Sequence, residues 1–180
     1  HAGCLSFEFS AGQSRLVVNC GTPRRGSAIP TLAARSTAAH STVTIGDVSS
    51  CLFAGAGGGT SLLARFDRWL GRWIGTPVIG GIENVEVTRG SSDSAVQTVG
   101  GAHDGYRRRF GLIHQRRLRL DGEAEVLDGE DAFIAVDATP DALSAVVRFH
   151  LHPSVRTGRA SDGYGVLLLS PDGQGWSFEA

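Results

Sequence analysis

Short runs in which apolar and polar residues alternate recur along this 180-residue chain. In CLSFEFS, for example, Leu5, Phe7 and Phe9 would lie on one face of an extended strand. Residues that favour turns separate these runs. Further strand candidates are SRLVVNC, STVTI, ENVEVTR, SAVQTV, GLIHQRRLRL, EAEVLDG, AFIAVD, AVVRFHLH and GVLLLS, with a last strand after SPDGQG. The pattern predicts an all-β chain, an antiparallel β-sandwich of roughly ten or more short strands.

One segment, residues 61–74, follows a different pattern. Its large apolar residues recur at helical spacing with arginines between them, and they are Leu62, Phe66, Trp69, Leu70 and Trp73. We therefore predict a short helical or irregular insertion here, either an amphipathic helix or a packed loop. No internal repeat or long linker divides the chain, so residues 1–180 are predicted to form a single β-sandwich domain.

The charge balance argues against a nucleic-acid-binding surface, because the formal net charge is −1. Charge is nevertheless segregated, with six arginines in residues 107–119 and eight carboxylates in residues 121–141. Such neighbours favour cross-strand ion pairs, although one wall of an anion-binding groove would have the same composition. No apolar run approaches the roughly 20 residues that cross a bilayer, so we predict no membrane insertion.

Three cysteines, Cys4, Cys20 and Cys51, occur without the spacing of a metal or redox motif. In the first predicted hairpin, the apolar pattern aligns Phe9 with Leu16. In that register Cys4 and Cys20 would point to opposite faces of the hairpin. We therefore predict three free thiols.

Histidines are the residues best suited to a site in this chain. His150 and His152 in VVRFHLHPSV are two residues apart on a predicted strand, which puts both imidazoles on one face. That placement suits a metal, contact with a sugar, or polar packing. His103 and Tyr106 in HDGYRRRF lie at a predicted strand-to-turn corner, which could be catalytic or a plain turn. His114 is predicted to lie on a strand surface.

Common catalytic motifs are absent from the sequence. There is no G-x-S-x-G, no P-loop, no G-x-G-x-x-G after a strand and no H-E-x-x-H. No pair of carboxylates stands out as a glycosidase dyad would. By residue pattern alone, the polar strand faces carry His, Arg and Tyr. Such faces suit an anionic oligosaccharide and suit structural packing equally well.

Four stretches together carry a family resemblance. They are HAGCLSFEFSAGQSRLVVNCGTP, RSTAAHSTVTIGDVSS, HDGYRRRFGLIHQRRLRLDG and VVRFHLHPSV. In this order they resemble the C-terminal half of heparinase II/III-like polysaccharide lyases. Members of that family have an N-terminal α/α toroid followed by an antiparallel β-sandwich. The resemblance implies that this chain is the sandwich alone.

The resemblance also implies a zinc site at His1, Asn19 and His40. Asn19 stands where the family has aspartate, and Gly3 stands at a second aspartate position. A neutral amide is a weaker zinc ligand and does not neutralise the ion. The alternative is that the metal has been replaced by a hydrogen bond between His40 and Asn19.

The reaction that the resemblance implies is β-elimination on a uronic-acid-containing polysaccharide. A base removes the C5 proton, neighbouring groups neutralise the carboxylate, and a tyrosine or histidine protonates the leaving oxygen. The candidate catalytic residues are His1 and Tyr106. The candidate substrate-binding residues are His103, Arg107, Arg109, His150 and His152.

The family places most of its catalytic groups in the toroid, so we expect an isolated sandwich to be inactive. The expected partners are an anionic polysaccharide and the N-terminal toroid of the same protein. The expected location is the periplasm or cell envelope of a bacterium. The alternative function is that of a non-catalytic carbohydrate-binding or domain-packing module, which has kept the fold and lost the site.

Overall fold

A computed structural model describes residues 1–22, 31–54, 77–90, 95–161 and 163–179. The strands in these ranges are β1 (Phe9–Ala11), β2 (Ser14–Val18), β3 (Val43–Ile45), β4 (Leu52–Phe53), β5 (Val78–Gly80), β6 (Val85–Arg89), β7 (Val96–Tyr106), β8 (Leu112–Asp121), β9 (Val126–Ala135), β10 (Ala145–Val147), β11 (His150–Leu151), β12 (Arg156–Arg159), β13 (Val166–Leu169) and β14 (Gly175–Phe178). The helical elements are α1 (Thr31–Arg35), a 3₁₀ turn (Thr37–Ala39) and α2 (Arg107–Phe110). The insertion predicted within residues 61–74 lies outside the described residues.

Every strand pair in the described ranges is antiparallel, which confirms the predicted all-β antiparallel class. The largest sheet has the order β6-β7-β8-β9. Two three-stranded sheets have the orders β1-β2-β11 and β12-β13-β14, and β3–β10 and β4–β5 form two-stranded sheets. Within the described part of the chain, no helix is long and apolar enough to cross a membrane.

The register of the first hairpin differs from the prediction. Phe9 pairs with Val17, not with Leu16, and an irregularity follows Phe9. The loop is a two-residue turn whose first residue, Gly12, has φ +56°. The prediction was wrong because Leu16, Val17 and Val18 are all buried, so alternation along β2 does not mark one inner face. The three cysteines are nonetheless unbridged, as predicted.

Long-range contacts join the four-stranded sheet to the beginning of the chain. The Arg116 guanidinium on β8 donates to the carbonyl oxygens of Leu5 and Ser41 at 3.0 and 2.8 Å. A Cβ atom at Gly101 on β7 would lie 2.6 Å from Leu5 Cδ2, so the Leu5 side chain packs directly on the backbone of this glycine. The sheet is therefore fixed to two segments that are remote in sequence.

Cross-strand ion pairs form between the arginine-rich and acidic segments, as predicted. Arg116 pairs with Asp131 at 2.8 Å, and Arg119 pairs with Asp128 at 3.1 Å. The two pairs differ in burial. The Arg116 and Asp131 side chains are 5% and 16% exposed, whereas those of Arg119 and Asp128 are 40% and 59% exposed. The first pair thus belongs to the interior and the second to the surface.

Candidate functional site

His1 and His40 lie together, as the family resemblance implies. Nδ1 of His1 is 3.4 Å from Nε2 of His40, and the two rings are nearly perpendicular. His40 is buried, and its Nδ1 donates to the carbonyl oxygen of Ser36 at 2.7 Å. Because a carbonyl can only accept, the Nε2 lone pair of His40 faces His1. A Cβ atom at Gly3 would lie 2.5 Å from Cδ2 of His40, so the backbone at Gly3 packs directly on the ring.

The His1–His40 spacing suits two ligands of one metal ion. Two nitrogens bound to a tetrahedral zinc ion at about 2.0–2.1 Å lie roughly 3.4 Å apart. No group of three or more His, Cys, Asp or Glu side chains placed to hold a metal occurs among the described residues. By themselves, the two imidazoles could supply two ligands of a zinc ion.

Asn19, the third residue of the implied site, has hydrogen-bond partners at both ends of its side-chain amide. Its Oδ1 accepts from the backbone N–H of Ser41 at 2.9 Å, and its Nδ2 donates to Oε1 of Glu8 at 3.3 Å. Both ends of the amide are thus used to connect the first hairpin to the segment after His40. Among the residues that the structure describes, the Asn19 amide is therefore engaged in hydrogen bonds to protein groups, and the zinc site that the resemblance implies stays a prediction.

Tyr106, the candidate proton donor, lies in the core. It is 1% exposed, and its hydroxyl donates to the carbonyl oxygen of Val43 at 2.7 Å. It packs with Ile45 and Leu112. Burial raises the pKa of Tyr106 above its usual value. In this domain the phenol is held by the fold and does not reach the surface.

His103, a candidate substrate-binding residue, is also buried and has both ring nitrogens engaged. Its Nδ1 accepts from the backbone N–H of Gly105 at 3.1 Å, so Nε2 carries the proton and donates to Nδ1 of His114 at 3.2 Å. His114 in turn donates from Nε2 to Asp131 at 2.7 Å. Burial, together with the nearby His114, lowers the pKa of His103 to about 4. The His103 ring is therefore neutral near neutral pH.

The resulting cluster of His103, His114, Arg116 and Asp131, here called the buried relay, was missed in the sequence. The prediction that His114 lies on a strand surface is wrong, because it is 0% exposed. Burial alone would raise the pKa of Asp131, but hydrogen bonds from His114 and Arg116 hold it below its usual value. The one signal in the sequence was the match of basic and acidic strands, which indicates ion pairs but not their burial.

Arg107 and Arg109 lie on α2, at the corner between β7 and β8. Arg107 pairs with Asp137 at 2.9 Å, and both side chains are about half exposed. The Arg109 guanidinium lies 5.7 Å from the ring centre of Phe110. A groove of about 480 Å³ runs past α2, and Glu83, Asp104 and Asp137 contribute to its lining. Because carboxylates share this groove with the arginines, it is not a purely basic surface.

His150 and His152 make separate contacts. His150 donates from Nε2 to the carbonyl oxygen of Ala38 at 3.0 Å, and its Nδ1 lies 3.5 Å from Sγ of Cys20. Nδ1 of His152 lies 2.6 Å from the hydroxyl of Ser154. The structure thus joins His1 with His40 and His150 with Cys20, and it buries Tyr106 and His103 beneath the surface.

Comparison with known proteins shows the class of protein to which this chain belongs. The profile of the family described as heparinase II/III-like, C-terminal, matches residues 1–180. The chain therefore belongs to the heparinase II/III-like C-terminal domain family. Family members carry this domain after a separate N-terminal domain.

A curated relative is FtsZ-localized protein C of Caulobacter vibrioides. It is 34% identical over 184 residues, which cover 95% of this chain and 28% of that protein. The chain thus spans a little more than a quarter of its relative's length. No solved structure gives a significant match to the chain.

Proposed function

We propose that this domain is a non-catalytic packing and binding module of a heparinase II/III-like protein. The observation that carries the proposal is the burial of Tyr106, whose hydroxyl is bonded to Val43 inside the core. A general acid must reach the leaving oxygen of the substrate, and this phenol is not at the surface of the domain. His103, a candidate substrate-binding residue, has both ring nitrogens hydrogen-bonded inside the protein, to Gly105 and to His114.

The name of the relative suggests the process in which such a module would act. FtsZ-localized protein C is named for its localisation with FtsZ, and 28% of its length matches 95% of this chain. We infer that the protein containing this domain also localises with FtsZ. The sandwich would then contribute a binding or packing surface to that assembly rather than a reaction.

Fluorescence microscopy of the full-length protein, tagged in cells with labelled FtsZ, tests this proposal. We expect the tagged protein to follow FtsZ, and we expect deletion of residues 1–180 to weaken or abolish that localisation. Uniform distribution of the intact protein, or unchanged localisation after the deletion, would argue against it. A matched assay for unsaturated uronates, the products of β-elimination, should give no signal with uronate polymers.

A second candidate function is favoured by the His1–His40 pair alone. In that case the domain would complete the cleft of a lyase acting on an anionic polysaccharide in the cell envelope. His1 and His40 would hold zinc together with ligands from the rest of the protein, and His150, His152, Arg107 and Arg109 would contact the sugar. Elemental analysis of the full-length protein separates the two candidates. Stoichiometric zinc that His40→Ala removes, together with unsaturated uronate products, would favour the lyase.

A further inference from the structure

Cys20 and His150 form a pair that is independent of the proposed function. Cys20 follows β2, and His150 on β11 is paired with Val18, two residues before the cysteine. Side chains two residues apart on a strand share a face, so Cys20 and His150 are diagonal neighbours across the two strands. Sγ of Cys20 lies 3.5 Å from Nδ1 of His150. Cys20 is exposed, whereas Cys51 is buried and Cys4 is partly buried.

The backbone fixes how this imidazole meets the thiol. Nε2 of His150 lies 3.0 Å from the carbonyl oxygen of Ala38, which can only accept a hydrogen bond. Nε2 therefore carries the proton, and the lone pair of Nδ1 faces Cys20. The same carbonyl would stabilise the ring after it gained a proton. A nucleophile, a base in contact with it and a third group that orients the base form the arrangement that activates thiols.

Both residues are held in place by backbone contacts. The N–H of Cys20 donates to the carbonyl oxygen of Ala39 at 3.0 Å, and the N–H of His150 donates to the hydroxyl of Ser41 at 2.9 Å. Residues 38–41 thus hold both Cys20 and His150 through hydrogen bonds, and they also supply the carbonyl oxygen of Ala38 that orients the imidazole. This preorganisation distinguishes the pair from a chance surface contact between two flexible side chains.

We propose that Cys20 and His150 form a reactive thiol–imidazole pair that takes up a small-molecule thiol as a mixed disulfide. His150 Nδ1 accepts the thiol proton, and the Cys20 thiolate attacks one sulfur of a small-molecule disulfide. The sulfur–sulfur bond of that disulfide breaks, and the departing thiolate takes the proton from His150. The Cys20 sulfur is oxidised and the departing sulfur is reduced, so the step needs no further oxidant.

The other two cysteines serve as internal controls. Burial raises the pKa of the Cys4 thiol, and Cys51 is 8% exposed. Both features disfavour reaction with a disulfide in solution, because only an accessible thiolate is nucleophilic. Modification should therefore be confined to Cys20.

Timed incubation of the protein with glutathione disulfide at neutral pH, followed by peptide mass spectrometry, tests the pair. His150→Gln keeps a donor for Ala38 but cannot take up a proton, and His152→Gln is the matched control on the same segment. We expect modification of Cys20 to slow ~10-fold in His150→Gln and to stay within about twofold of the unsubstituted rate in His152→Gln.

Two further measurements complete the test of the Cys20–His150 pair. Circular dichroism must show the same melting curve for both variants, and in urea the advantage of Cys20 over Cys4 and Cys51 should disappear. An advantage that survives in urea would overturn the proposal, because it would not depend on the folded pair. Equal rates in His150→Gln and the unsubstituted protein, or modification spread over all three cysteines, would also overturn it.

Discussion

His114 and Asp131 are joined inside the four-stranded sheet by a hydrogen bond of 2.7 Å. Asp131 also receives two bonds of 2.8 Å from the Arg116 guanidinium. The same guanidinium donates to the carbonyl oxygens of Leu5 and Ser41. The buried relay therefore connects strands β7, β8 and β9 to two segments from the beginning of the chain. Stability, rather than catalysis, is the property on which it should act.

Asp131→Asn tests the charge at the centre of the relay. The substitution leaves the Arg116 guanidinium, whose side chain is 5% exposed, without its counter-ion. Removing one partner of a buried pair is costly, so we expect the free energy of unfolding to fall by about 3–5 kcal/mol in urea denaturation. Asp128→Asn is the matched control, since it removes the exposed partner of Arg119. Its cost should be several-fold smaller, and equal losses would contradict a special role for the relay.

His103 gives the relay a dependence on pH. Its pKa is lowered to about 4 in the folded protein from 6.5 for a free side chain. The unfolded chain therefore binds a proton at higher pH than the folded chain, so stability falls as pH drops from 6.5 towards 4. At about 1.4 kcal/mol per pH unit, the total loss is about 3 kcal/mol. The pKa of Asp131 is lowered from 3.8, so the stability lost when Asp131 is protonated is lost below the pH range in which His103 titrates.

Urea denaturation at a series of pH values measures this effect. The comparison is between the unsubstituted protein and His103→Gln, which keeps a donor towards His114 but does not titrate. We expect the slope between pH 6.5 and 4 to flatten in the variant. Parallel curves for the two proteins would show that another group sets the acid sensitivity.

Gly3→Ala tests the close packing of the N-terminal segment on His40. An alanine Cβ would lie 2.5 Å from Cδ2 of the His40 ring, so the ring or the backbone must move. Overpacking of this kind should lower the free energy of unfolding by about 1–3 kcal/mol. Gly158→Ala is the control, because a Cβ there meets no atom within 4 Å. Thermal unfolding of both variants checks the expectation, and a neutral Gly3→Ala would mean that the His40 ring is free to move.

The regular strands could be predicted from the sequence because their alternation is local. The candidate "GLIHQRRLRL" corresponds to β8 (Leu112–Asp121), and "STVTI" contains β3 (Val43–Ile45). Alternation failed along β2, where Leu16, Val17 and Val18 are all buried. With both faces covered, nothing in the pattern distinguishes one register from the next.

The burial of polar groups could not be predicted in the same way. Whether His114 faces water or the core depends on Asp131 and on Arg116, which reaches carbonyl groups more than 70 residues away in sequence. A polar side chain can be buried when its partners are in place, and those partners are set by tertiary contacts. The burial of Tyr106 has the same origin, since its hydroxyl partner Val43 lies on a different sheet.

Tyr106→Phe distinguishes the two roles considered for this residue. If the phenol serves the core, losing its hydrogen bond to the Val43 carbonyl oxygen should lower the free energy of unfolding by about 1–2 kcal/mol. The localisation with FtsZ that we propose for the full-length protein should then be retained below the melting temperature. If the phenol were a proton donor, the variant would instead lose the formation of unsaturated uronates. Urea denaturation and the uronate assay on one preparation therefore distinguish the two roles. Lower stability with no change in uronate formation indicates a core residue, and loss of product at unchanged stability would support the lyase.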